Sequence, residues 1–164
     1  MKRLFTILGL ILAIHLLYGT VPLCAGEGEP SSSNVTQEKD SVAIKKAVET
    51  YLQCFVGRDI NSMMDQVSKN YTIKSDNSVT TYDEFRADIE SQLERMIDIS
   101  ISDLNIEEPN ISNDKASIQV KFNFKAQNLN TLSYINEVRR MRFFFIKEGG
   151  FWKVISREIY GKSL

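Results

Sequence analysis

The sequence predicts an α+β domain: three N-terminal helices packed on a curved, mostly antiparallel sheet that forms a cone with a pocket. Three observations carry this. Apolar residues recur at three- and four-residue steps from Ile44 to Phe55, and again from Tyr82 to Met96. From Ile97 onward the period drops to two. Turn-forming clusters, Asn113-Asp114-Lys115 and Glu148-Gly149-Gly150, punctuate that second half. Helices first and strands afterwards place the helices on one side of an antiparallel sheet.

The first helix is expected from about Ser41 to Val56, with Ile44, Ala47, Val48, Tyr51, Leu52 and Phe55 on its apolar stripe and Gly57 closing it. Asp59 is placed to cap a short second helix carrying Ile60, Met63, Met64 and Val67 inward. Tyr71 to Lys74 reads as a short strand, followed by a turn through Asp76-Asn77-Ser78. Thr81-Tyr82-Asp83-Glu84 is a capping box that opens the third helix. In the next strand the alternation slips by one between Asp103 and Leu104, which predicts a β-bulge. Ala116, Ile118, Val120, Phe122 and Phe124 alternate without error and define one buried face. Strands from about Ser133 to Lys147 and from Phe151 to Tyr160 complete the sheet.

Ahead of this body, Lys2 and Arg3 precede an apolar run from Leu4 to Leu17, and small residues follow up to Ala25. That is the layout of a signal peptide over residues 1–25. The run is too short for a comfortable membrane span, so no stable span is expected after cleavage. The predicted location is exported, periplasmic or secreted. A lipid anchor at Cys24 is disfavoured because bulky Leu23 stands where a lipoprotein signal has a small residue. Residues 26–40, rich in Gly, Ser, Pro and Glu, read as a flexible linker, leaving 41–164 as the domain.

Composition narrows the chemistry. The only histidine, His15, lies in the export segment. The mature chain therefore has no histidine for a nucleophilic triad, a zinc site or general-base work. Cys54 is the one thiol beyond the signal region and reads as a packed structural group. Loss of Lys2 and Arg3 leaves 18 basic residues against 21 acidic ones, too balanced for a nucleic-acid binder. With no Gly-rich phosphate loop, CxxC pair or metal-ligand constellation, neither a cofactor nor a metal is expected.

Three stretches together resemble the nuclear transport factor 2-like superfamily, also called the SnoaL-like or cystatin-like α+β cone. They are Tyr51-Leu52-Gln53-Cys54-Phe55-Val56-Gly57-Arg58-Asp59, then Thr81-Tyr82-Asp83-Glu84-Phe85, then Gly149-Gly150-Phe151-Trp152-Lys153-Val154. The resemblance spans Val42 to Ile159 and implies a sheet that wraps a long helix, with a pocket at the open end. It also implies a comparison with ketosteroid isomerase, whose tyrosine donor has a counterpart in Tyr51. The position of its aspartate base falls on Ser75, between Lys74 and Asp76, and serine without an activator cannot take a proton from carbon.

The pocket candidates are Tyr51, Tyr71, Asp103, Arg140, Arg142 and Glu158. Asp103 is chosen because a bulge can aim a side chain into a site. Arg140 and Arg142 share one strand face and offer a bidentate clamp for an anion, with Glu137 and Glu158 as balancing acids. The favoured function is a non-catalytic domain binding a small apolar or anionic molecule or a partner protein. The alternatives are an isomerase or lyase using Tyr51 with Asp103 or Asp76, and a module that homodimerises through the sheet face.

Overall fold

The computed structural model describes the backbone of residues 32–75 and 78–163, and the side chains of 36–73 and 79–160. The expected signal peptide with Cys24, the linker up to residue 31 and the turn residues Asp76 and Asn77 lie outside the described residues. The helices are α1 (Ser32–Val56), α2 (Ile60–Met64) and α3 (Tyr82–Glu94). The strands are β1 (Ile73–Ser75), β2 (Ser78–Thr80), β3 (Met96–Ile106), β4 (Asn110–Ser112), β5 (Lys115–Asn128), β6 (Tyr134–Glu148) and β7 (Phe151–Ser163). β1 and β2 form a small hairpin. The main sheet is antiparallel and runs β3-β5-β6-β7, with β4 beside β5. This is the α+β arrangement that the change of period predicts.

α1 starts at Ser32, not near Ser41. Residues 32–40, read as linker from their polarity, form its first turns because tertiary bonds hold that end to the sheet. Asp40 Oδ1 accepts from Lys147 Nζ at 2.6 Å and from the Trp152 indole at 3.0 Å. One turn on, Ser41 Oγ donates to Glu108 at 3.0 Å, and Lys45 pairs with the same carboxylate. Burial alone would push the Asp40 carboxyl up. The bonds from Lys147 and Trp152 and the Lys147 charge outweigh it and hold the group below its ordinary value.

The end of α1 also departs from expectation. The left-handed residue is Arg58 (φ 60°), not Gly57. Asp59 N–H donates to Cys54 O at 2.9 Å and Arg58 N–H to Phe55 O at 3.2 Å, the two bonds of a Schellman closure. Gly57 occupies the position before it, where an added Cβ would meet Gln53 O at 3.3 Å. The Arg58 side chain is in use: its guanidinium donates to Leu93 O in the last turn of α3 at 2.7 Å and to Met96 O at the start of β3 at 2.6 Å. At the other end of α3, Glu84 accepts from the Thr81 backbone N–H at 2.8 Å and its hydroxyl at 3.0 Å, as the capping box predicts.

The β3–β5 register shifts between Ser102 and Asn105, where Asp103 has φ 53°. This is the bulge read from the phase slip. A second shift, between Ile97 and Ser100 with Asp98 at φ 52°, carries no such signature. It turns Ile97 outward and Met96 inward. Elsewhere the predicted faces hold: Ala116 to Phe124 in alternation, then Met141, Phe143 and Phe145, all pack against the stripe of α1. Tyr51 meets Phe143 edge-on at 5.3 Å between ring centres.

Candidate functional site: a cavity between α1 and the sheet

β7 decides what faces the interior. Trp152 and Val154 point inward. Strict alternation from Val154 would bring Ser156, Glu158 and Tyr160 in behind them. Instead the β6–β7 register shifts between Phe144 and Phe145, whose partners are Ser156 and Val154, so Ile155 is the extra residue. After it the phase inverts, and Arg157 and Ile159 stand opposite Phe143 and Met141. A cation is thereby delivered to the inward face of β7.

The result is a cavity of about 30 Å³ lined by Tyr51, Leu52 and Phe55 of α1, Gln92 of α3 and inward groups of the sheet, among them Phe124, Arg139 and Arg157. It has room for one or two waters or a small head group. Drug-sized ligands occupy roughly 300–1,000 Å³, so side chains fill most of the cone.

Its polar groups are ordered. Arg157 Nη1 donates to the Tyr51 hydroxyl at 3.0 Å, and the guanidinium lies 4.8 Å from the centre of the Phe85 ring. Tyr71 stacks on the other side of this cluster, 4.3 Å from Phe85. The Tyr71 hydroxyl is buried and has no hydrogen-bond partner, alone in this among the described residues. Burial raises both phenols above the ordinary tyrosine value, and the Arg157 charge works against it in each. Arg139 lies 3.5 Å over the Phe124 ring and donates to Glu137 Oε1 at 2.6 Å, so its charge is neutralised in place. No carboxylate lies within ion-pair distance of Arg157 among the described residues.

Of the six candidates read from sequence, this geometry brings together Tyr51 and Tyr71. Arg140 and Arg142 lie on the opposite face of β6 from Met141 and Phe143. Arg142 sits opposite Glu158 and 5.7 Å over the Tyr160 ring, away from the cavity. Glu158 is exposed for the same reason that Arg157 is not. Asp103 is exposed at its bulge and accepts from the Asn123 side chain across the strand pair. The residues missed are Arg139 and Arg157. Parity with Met141 marks Arg139 as inward, whereas the bulge that inverts β7 has no counterpart in the alternation of apolar residues.

No family model and no curated protein matches this sequence. Solved structures do match the fold. A ketosteroid isomerase-like protein from Erwinia carotovora atroseptica superposes with a TM-score of 0.64 at 18% identity, over 76% of this chain and 97% of that one. The chain has the nuclear transport factor 2-like fold. A proposed dehydratase of the nuclear transport factor 2-like family from Streptomyces avermitilis reaches 0.60 at 10% identity, over 77% and 98% of the two chains. A nuclear transport factor 2-like protein with a cystatin-like fold from Novosphingobium aromaticivorans gives 0.60 at 10%, over 82% and 90%. At such identities the shared property is the fold, and function has to be argued from the site. Within the nuclear transport factor 2-like fold, this chain's cavity lies between the long helix and the sheet, and its arginine arrives by a bulge in the last strand.

Proposed function

We propose that this chain is an exported cone-fold domain that binds a small molecule in the cavity between α1 and the sheet and carries out no reaction on it. The supporting observation is the lining: a phenol and two guanidinium groups set among apolar walls, with no carboxylate, histidine or thiol among the lining residues. Proton abstraction needs a base within reach of the substrate. The carboxylate that meets a lining residue, Glu137, is already bonded to Arg139. The enzyme alternative pairs Tyr51 with Asp103 or Asp76; Tyr51 is buried under the sheet and Asp103 is exposed, and Asp76 lies outside the described residues. Export rests on the N-terminal sequence.

Native mass spectrometry of the protein isolated from an untargeted lysate tests the reading. The expected result is a bound small molecule that is lost when Ile101→Trp fills the cavity. A clean apoprotein, with no thermal stabilisation by any member of a small-molecule library, would overturn it.

A further inference from the structure

We propose that the ligand of this cavity is a small organic carboxylate, with its head group on Arg157 and its short apolar tail along Leu52, Phe55 and Ile101. The proposal deepens the reading above and rests on it. Two observations converge. Arg157 is half-buried and has no carboxylate partner among the described residues, although a guanidinium withdrawn from water is costly without a counter-charge. It donates to the Tyr51 hydroxyl through Nη1 and approaches the Tyr71 hydroxyl, but neither neutral phenol supplies a counter-charge, and its five N–H groups exceed what two phenols can accept. Tyr71, behind Phe85, is buried outside the cavity lining and supplies no negative charge. A carboxylate in the cavity supplies the missing counter-charge and takes N–H bonds from the free side of the Arg157 fork.

Charge and size select the class. Arg139 also lines the cavity, but Glu137 neutralises it, so one uncompensated positive charge remains. One charge suits a monoanion better than a phosphate dianion. Most of the lining beyond the arginines and Gln92 is hydrocarbon, which favours an acid bearing hydrocarbon over an inorganic anion. The cavity's 30 Å³ restricts the inner part of the ligand to the head group.

The test uses the full domain with acetate, butyrate, butyramide and inorganic phosphate as probes. Affinity is read from the shift of the arginine side-chain N–H resonances and from thermal stabilisation. Butyrate is expected to bind at least tenfold more tightly than its neutral counterpart butyramide. Each methylene removed toward acetate should weaken binding by about fourfold. Arg157→Gln should lower butyrate to the level of butyramide, while Arg140→Gln, on the outer face, leaves it unchanged. If Arg157→Gln does not fold, Arg157→Lys serves instead: it keeps the charge without the fork and should weaken butyrate severalfold without affecting butyramide. Equal binding of butyrate and butyramide would overturn the carboxylate assignment, as would tighter binding of phosphate. A neutral molecule retained from the lysate, with no response to butyrate, would also overturn it while leaving the interior-ligand reading intact. Loss of both signals overturns both.

Discussion

The Arg157 guanidinium donates to the Tyr51 hydroxyl at 3.0 Å across 106 positions of sequence, joining the last strand to the C-terminal part of the first helix. Both groups are withdrawn from water, so the bond is stronger than its surface equivalent and its loss leaves a donor or an acceptor stranded. Tyr51→Phe keeps the ring packed on Phe143 and should cost about 1 kcal/mol. A double-mutant cycle with Arg157→Gln should give a coupling energy of about 1–2 kcal/mol by urea denaturation. Additive effects of the two substitutions would mean that the bond does not form in solution.

Alkaline titration reports on the same cluster. The folded-state values of Tyr51 and Tyr71 lie above the ordinary 10.0 because burial penalises the phenolate. Below pH 10 both states are protonated and the groups leave stability unchanged. As pH rises beyond 10, the unfolded chain releases these protons first, so stability falls as pH climbs toward the folded-state values. Phenolate absorbance should show Tyr51 and Tyr71 ionising only together with unfolding. Ionisation of every tyrosine in one step before unfolding would contradict the buried cluster.

Acid behaviour should follow Asp40. Its carboxyl is held low, so its stabilisation is complete above the ordinary value of 3.8 and disappears as pH falls through the folded-state value. Asp40→Asn should therefore lower stability at pH 7 by about 1–2 kcal/mol. The gap to the parent should close in strong acid, where both side chains are neutral. A gap that stays constant down to pH 2 would show that the charge contributes nothing.

Arg58 combines two roles that substitution separates. Arg58→Ala removes the bonds to Leu93 and Met96 and keeps a side chain at φ 60°. Arg58→Gly removes the same bonds but frees the backbone. Both should be destabilised in thermal unfolding, and glycine should be the milder by about 0.5–1 kcal/mol. The reverse order would argue against the left-handed closure of α1.

These residues also show what a sequence can and cannot disclose. Side chains that alternate or recur at helical spacing reveal their faces, and so the stripe of α1, the core of β5 and the inward run Met141-Phe143-Phe145 were legible. Asp103 was legible because a phase slip between apolar residues marks its bulge. Arg157 was not, because its bulge falls in Ile155-Ser156-Arg157-Glu158, where no apolar alternation exists to be broken. The first turns of α1 were missed for a related reason. What orders them is Asp40 reaching Lys147 and Trp152, more than a hundred positions away. Tyr51 was found from helical spacing alone, although its partner was unknown.

β7 is the last strand of an open sheet, and such a strand offers its backbone to any other chain that meets it. Here the segment after α2 lies along its first half. Ser68 N–H donates to Val154 O at 2.8 Å, Val154 N–H to Gln66 O at 2.8 Å, and Thr72 N–H to Ile155 O at 3.0 Å. Just beyond, the bulge at Ile155 bends the strand, and the charged pair Arg157-Glu158 follows. The most apolar stretch of the margin, Trp152 to Ile155, is thus closed to intermolecular strand addition. The protein is expected to resist fibril-like association from this side even at high concentration.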